Sequence, residues 1–302
     1  MAIRFSNAEL PPFWGATLRF GAASLLFFAF VFWQRVPLPR GRALAGVLIF
    51  GVLGFAASYA LGYWALLRVQ AGMAQVILAL VPLLTLLLAL LHGLESFHWR
   101  GLFGALLAVA GIAIMFGSPV NAAVPLPSLL AILAGAACIA EAGIVIKWFP
   151  PSHPAATNAL AMATGTGILM ALSALWHEPW VIPNMPATWA ALAYLVLVGS
   201  VPVFLLYLFV LKRWPASSAS YQFVLFPFVT VTLSAWLEKE PVTLALLLGG
   251  ALVLAGVYVG ALAQSPGKQK ANTEGERRVL GQAPGRQNDV AAAIQQAGDA
   301  IE

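Results

Sequence analysis

Residues 80–111 read LVPLLTLLLALLHGLESFHWRGLFGALLAVAG, and residues 225–256 read LFPFVTVTLSAWLEKEPVTLALLLGGALVLAG. Laid side by side at a spacing of 145 positions, they match Leu80 with Leu225, Pro82 with Pro227, Thr85 with Thr230, Glu95 with Glu240, Gly104 with Gly249 and Gly111 with Gly256. The same spacing reaches back to Arg68 and Arg213, and to Ala74 and Ala219. Pro, Glu, Arg and Gly recurring in one register mark an internal repeat, and long internal repeats in an apolar chain point to a transporter fold built from two halves.

Working outward, the chain is 61% hydrophobic and 9% charged, where a soluble domain carries roughly a quarter charged residues. A helix needs about 20 apolar residues to cross a bilayer, because hydrocarbon offers backbone groups no water to bond. Nine runs meet that need: 12–33, 43–67, 71–92, 100–117, 128–148, 155–176, 187–210, 217–237 and 242–262. The fold class predicted is an all-α polytopic membrane protein. Five runs separate equivalent positions of the repeat, an odd number, so the two copies are expected to be inverted in the membrane.

A second register pairs Arg4–Pro11 with Lys147–Pro154, each followed by an apolar run. The helix 128–148 that ends at Lys147 then has only the residues from Met1 onward as its counterpart. The expectation is a ten-helix, five-plus-five bundle with nine helices visible and the first missing, through a miscalled start or a truncated chain. Four segments follow: a first repeat at 1–117, an outer linker at 118–127, a second repeat at 128–263, and a disordered cytoplasmic tail at 264–302 rich in Gly, Gln, Lys, Arg and Glu.

Basic residues collect on the cytoplasmic side of membrane proteins. Arg35, Arg40, Arg42, Arg100, Lys147, Lys212, Arg213 and the tail cations Lys268, Lys270, Arg277, Arg278 and Arg286 fall on one side, against Arg4, Arg68 and Lys239 on the other. The C-terminus is therefore expected inside, and the loop His177–Pro186, which carries only Glu178 and no basic residue besides His177, outside. Basic residues at helix ends rather than in one patch argue against a nucleic-acid partner, and the one cysteine, Cys138, allows no disulfide within the chain.

The blocks "LPPFWGATLRF", "ALVPLLTLLLALLHGLE" with the glycines after it, and "VLFPFVTVTLSAWLEKE" with its own resemble the drug/metabolite transporter superfamily, in particular its EamA-type members with two inverted five-helix repeats. The resemblance covers residues 1 to about 263. It implies an exporter or exchanger of amino acids or related metabolites, driven by a proton gradient or by substrate exchange, in the inner membrane. No cofactor and no ATP-binding loop are expected.

An ionisable residue inside a membrane is a functional candidate by default. Glu141 leads, since its own helix offers no cation at three or four residues' distance; it is expected to face a central cavity, carrying a proton or binding an amino group. Arg19 is read as a ligand for a substrate carboxylate or phosphate, or as a brace bonded to carbonyls. Gln75, Gln222, Tyr221, Tyr63 and Trp64 form a second tier of cavity-lining groups, each equally readable as an interhelical hydrogen bond. Pro82 and Pro227 are hinge candidates, and Glu95 and Glu240 are read as interfacial.

Glycines at helical spacing (Gly101, Gly104, Gly111; Gly249, Gly250, Gly256) let the last helices of the two copies approach, within one chain or across a homodimer. The four histidines lie at helix ends, and no H-E-x-x-H or G-x-S-x-G motif occurs, so an intramembrane enzyme or a non-transporting partner subunit is the lesser reading.

Overall fold

The computed structural model describes residues 2–92, 99–116, 124–213, 222–237 and 242–259. Among them every regular element is a helix. The first repeat holds α1 (Ala2–Ser6), α2 (Pro12–Trp33), α3 (Arg42–Gly51), a π segment (Val52–Ala57), α4 (Ser58–Ala65), α5 (Ala71–Leu78), α6 (Val81–Leu91) and α7 (Trp99–Phe116). The second holds α8 (Leu126–Trp148), α9 (Pro154–Leu175), α10 (Pro186–Leu197), α11 (Val201–Arg213), α12 (Gln222–Leu237) and α13 (Leu244–Val257).

Among the described residues six stretches are long and apolar enough to cross a membrane: Pro12–Trp33, Arg42–Ala65, Ala71–Leu91, Leu126–Trp148, Pro154–Leu175 and Pro186–Arg213. Trp99–Met115 and Leu244–Val257 are shorter apolar helices. The outer surface fits lipid: Leu25, Leu91 and Trp236 are each more than 70% exposed, which water would penalise as an apolar patch. The protein is a polytopic membrane protein. Trp33, Trp99, Trp148 and Trp176 stand at or beside helix ends, where amphipathic rings prefer the headgroup level.

Three runs predicted as single helices are interrupted. The 43–67 run carries the π segment; the 71–92 run breaks at Ala79–Leu80; the 187–210 run breaks at Val198–Ser200. Proline explains two of them. Pro82 and Pro202 lack the N–H that would bond to Leu78 and Val198 four residues back. Around the first gap the chain tightens, with the Leu80 N–H donating to the Ile77 carbonyl at 3.0 Å.

The repeat is visible in the backbone. Helices α2 and α9 each begin at a proline and run 22 residues. Each is followed by a left-handed residue, Arg35 at φ 52° and His177 at φ 54°. Each also closes with the same long bond, Val36 N–H to the Val31 carbonyl and Glu178 N–H to the Ser173 carbonyl, both 2.9 Å. The structural register is Pro12 with Pro154, a spacing of 142, one position tighter than the sequence alignment on Pro11. In that register α1 corresponds to the last turn of α8, while α7 and α13 keep the spacing of 145.

Two pairs of equivalent helices pack on each other, α2 on α9 and α7 on α13, and α5 packs on α12. The two equivalent pairs run antiparallel. The start of α2 meets the end of α9 through the edge-on pair Phe13 and Trp176 at 5.7 Å. Gly111 meets Gly249 while Gly104 meets Gly256. A Cβ on Gly111 would sit 2.5 Å from the Gly249 carbonyl oxygen, and one on Gly256 would sit 2.5 Å from the Gly104 oxygen; only glycine permits this approach. The expected close packing of the last helices thus occurs within one chain.

The interior holds two large apolar clusters and a small one of Val81, Ala136 and Ala140. Of the large ones, one gathers Phe20, Phe55, Tyr63, Met162 and Leu169, the other Met73, Ile77, Met115 and Val253. Trp64 packs against both.

Candidate functional site

Helix α2 buries Phe13, Thr17, Phe20, Ser24, Phe27 and Val31 at helical spacing, and Arg19 goes inside with them at 4% exposure. A buried cation needs acceptors. Its Nε donates to Ser200 Oγ at 2.9 Å, its Nη2 to the Gly199 carbonyl at 3.0 Å, and its Nη1 reaches Tyr63 Oη at 3.5 Å. The guanidinium carbon also lies 4.9 Å from the Phe20 ring centre and 5.2 Å from that of Tyr59. The acceptors exist because the helix breaks at Val198–Ser200, which strands carbonyls at membrane depth.

Phe55, inside the π segment, and Ser200, at the break, stand 145 residues apart, in the repeat register. Both copies are therefore irregular at the same place, and both irregularities meet α2: Phe55 edge-on to Phe20 at 5.3 Å, Ser200 through Arg19. Interrupted helices at corresponding positions of two inverted repeats are where transporters of this architecture put their substrate sites. Arg19 and Tyr63, predicted separately, come together here with Tyr59, Gly199 and Ser200.

Glu141 lies elsewhere, on α8. Its own helix offers no cation at three or four residues' distance, as read from the sequence, but a side chain from the end of α6 comes close: His92 Nε2 stands 3.2 Å from Glu141 Oε1. The other ring nitrogen, Nδ1, is 2.7 Å from the Leu88 carbonyl, and the ring meets Trp148 edge-on at 4.8 Å. Glu141 Oε2 is buried and has no partner among the described residues. His92 does stand at a helix end, beside Trp148 at the end of α8, yet its ring reaches back to the carboxylate.

Among the remaining predicted residues, Gln75 is half-buried on α5 and Trp64 sits between the two clusters. Pro82 follows the α5–α6 break directly, at the start of α6. Gln222 opens α12 and Pro227 lies within it; their side chains, together with Tyr221, Glu95 and Glu240, lie outside the described residues. Sequence reading missed His92 as a partner, because a contact between α6 and α8 has no local signal. It also missed Asn158, fully buried on α9 with neither amide atom partnered among the described residues.

At the opposite end of α8, on the face of the His177–Pro186 loop, two carboxylates staple helix starts. Glu178 accepts from the Phe13 and Trp14 N–H groups at 3.2 and 2.9 Å, filling orphan donors of α2. Glu9 accepts from Asn184 and Met185 at 3.1 Å each, at the start of α10. Trp14 stacks on Trp180 at 5.3 Å and donates to the Val181 carbonyl at 2.8 Å. The Glu9 carboxyl is held below its ordinary value of 4.5 by a hydrogen bond from Thr188 and by the Met185 and Asn184 amides, against a smaller opposing effect of burial.

The model of the EamA-like transporter family matches residues 1–117 and 126–261. The chain is 27% identical to a protein of Streptantibioticus cattleyicolor named "Probable terminal-alkyne amino-acid exporter", covering 80% of this chain and 81% of the relative. It is 29% identical to the "Uncharacterized inner membrane transporter YedA" of Escherichia coli K12, covering 85% and 84%. One solved crystal structure, 20% identical, superposes with a TM-score of 0.62 over 88% of this chain and 96% of its own, a likeness of fold. From the inverted repeat, the paired irregular helices and the match over both halves, the chain belongs to the EamA-like transporter family.

Proposed function

We propose that this protein is a secondary transporter that exports or exchanges amino acids or similar small metabolites across the inner membrane by alternating access. The observation that carries the reading is the pair of helix irregularities at equivalent places, Phe55 and Ser200, both set against α2 around Arg19. One repeat rocks against the other about this level, with nine membrane-crossing segments in all and the breaks before Pro82 and around Pro202 as flexing points. Tyr63, Tyr59 and Ser200 present hydroxyls in an otherwise apolar surround, the composition of a site that recognises a few polar atoms of a small solute. The name of the S. cattleyicolor relative supports an amino-acid cargo, and that of YedA the inner membrane. The cation distribution supports a cytoplasmic side for residues 264–302.

The test is uptake into proteoliposomes of a panel of radiolabelled amino acids, read as counterflow against the same unlabelled compound. Accumulation of at least one member above protein-free vesicles is expected. Transport of none, by a chain shown to be folded, overturns the reading.

A further inference from the structure

We infer that a cavity at the ends of α8 and α11 binds the phosphate headgroup of an anionic phospholipid, held by Lys147 and Lys212. The site is independent of the transporter reading; its place in the cytoplasmic leaflet rests on the cation distribution.

The cavity holds about 330 Å³, in the size range of small-ligand pockets, and lies where the last turns of α8 and α11 approach the start of α9. Lys147 comes to it from α8 and Lys212 from α11. No acidic residue is among those that line it, so the lining brings two positive charges to one small volume. An anion between them turns that repulsion into attraction. Ser152 and Thr157 line the cavity too, their hydroxyl oxygens 2.6 Å apart. Two hydroxyls have two hydrogens and spend one on their mutual bond, so a second remains to donate. Thr157 is only 4% exposed, which fixes this pair within the protein.

The wall is stiff and poor in backbone donors. Between α8 and α9 the chain reads Phe149, Pro150, Pro151, Ser152, His153, Pro154, and its three prolines fix the backbone and carry no N–H. The Ala155 N–H is already given to His153 Nδ1 at 3.2 Å, and the Thr157 N–H to the His153 carbonyl at 2.9 Å. Anion recognition therefore rests mainly on the four polar side chains, in a frame that loses little freedom on binding. Phe149, Leu208 and Leu211 supply the apolar flank. Beside lining residues in sequence, Trp148 and Phe209 are 48% and 45% exposed, and Arg213 lies over the Phe209 ring at 3.8 Å. Such aromatic and basic residues mark the headgroup level. A phosphate enters the cavity there while its acyl chains stay in the bilayer, as in other basic pockets between helices.

The other half of the molecule shows that the fold does not require this polar set. At the spacing of 142, Ser152 corresponds to Leu10 and Thr157 to Gly15; at 145, Lys212 corresponds to Leu67. There Leu10, fully buried, packs onto Gly15, where an added Cβ would meet the Leu10 Cβ at 3.4 Å. That corner closes as an apolar contact, with the carboxylates of Glu9 and Glu178 capping helix starts on the same face. Hydroxyls and lysine replace leucine and glycine at one end of the bundle alone, the end where anionic headgroups meet an excess of cations.

The test is native mass spectrometry of the full-length chain in detergent, titrated with phosphatidylglycerol or with zwitterionic phosphatidylcholine. The first phosphatidylglycerol is expected to bind the wild type about tenfold more tightly than the first phosphatidylcholine, a preference that Lys147→Gln with Lys212→Gln abolishes. Should that double variant fail to fold, Lys212→Gln alone is expected to lower the preference about threefold. Arg35→Gln with Arg40→Gln removes two exposed cations assigned to the same side but outside the cavity, and is expected to leave the preference unchanged. No preference in the wild type overturns the site, as does a preference that survives in the folded lysine variants. Equal loss in the arginine variant overturns it as well, since diffuse attraction to a basic surface would then account for the binding. Inorganic phosphate at the lipid's concentration is expected to leave the bound phosphatidylglycerol in place; displacement overturns the lipid assignment in favour of a soluble phosphate compound. The measurement needs no transport substrate, so absent counterflow in the wild type would bear on the transporter reading alone.

Discussion

Arg19 shows how one residue can be both legible and ambiguous. Its presence in an apolar run marks it for attention, and its alternatives, substrate ligand or brace, differ only in what surrounds the guanidinium. In the structure Ser200, the Gly199 carbonyl and Tyr63 occupy it, so its resting state is that of a brace across α2, α4 and the α10–α11 break. Arg19→Ala would leave the Gly199 carbonyl and Ser200 hydroxyl unsatisfied at depth. Hydrogen bonds to charged groups contribute about 1.5–3 kcal/mol each, so the variant should lose roughly 2–3 kcal/mol, measured by thermal unfolding in detergent. Arg19→Lys, with a point charge in place of a fork, should recover only part of it. Glu141 was equally visible as a charge inside a run, but nothing near it in sequence names His92, which the α6–α8 contact supplies.

At the scale of elements, the last helices of the two repeats were readable because glycine has no side chain to disguise its purpose. With a Cβ on Gly111 only 2.5 Å from the Gly249 oxygen, Gly111→Leu must force α7 and α13 apart. Overpacking of a tight contact costs about 1–3 kcal/mol; a lowered midpoint of unfolding in detergent is expected, with Gly62→Leu, which meets open space, as the unaffected control. The staples at the loop between α9 and α10 were not readable, because a carboxylate capping a helix 165 residues away has no periodicity. Glu9 gives this element a pH dependence. Its folded-state affinity for protons is lowered, by Thr188 first, so its contribution is present above the ordinary 4.5 and disappears as pH falls through the lowered folded value. The protection factors of the Asn184 and Met185 amides, exchange rates taken relative to the intrinsic rate at each pH, should accordingly be high at neutral pH and fall on acidification below 4.5. Glu9→Gln should make that protection low at both.

For the whole molecule, antiparallel packing of equivalent helices requires that the loop after α2 and the loop after α9 face opposite sides. In a Cys138→Ala background, Ile182→Cys is expected to react with a membrane-impermeant maleimide in intact cells, and Arg40→Cys only after permeabilisation. Labelling of both from one side would contradict the inverted arrangement.

Much of the architecture follows from the chain alone. Apolar runs of membrane length, a repeat held in register by Pro, Glu and Gly, and an odd number of intervening spans determine a polytopic inverted-repeat bundle, because lipid leaves a backbone few options and symmetry leaves a spacing. The chain marked Pro82 as a hinge candidate, but it did not reveal the π segment at Val52–Ala57 or the break at Val198–Ser200, both of which meet α2. Nor could it reveal which polar groups meet: Arg19 with Ser200, His92 with Glu141 and Glu178 with the start of α2 are each joined across separate helices. Such pairs depend on distance through space, and local sequence encodes that distance only through the packing of the whole bundle.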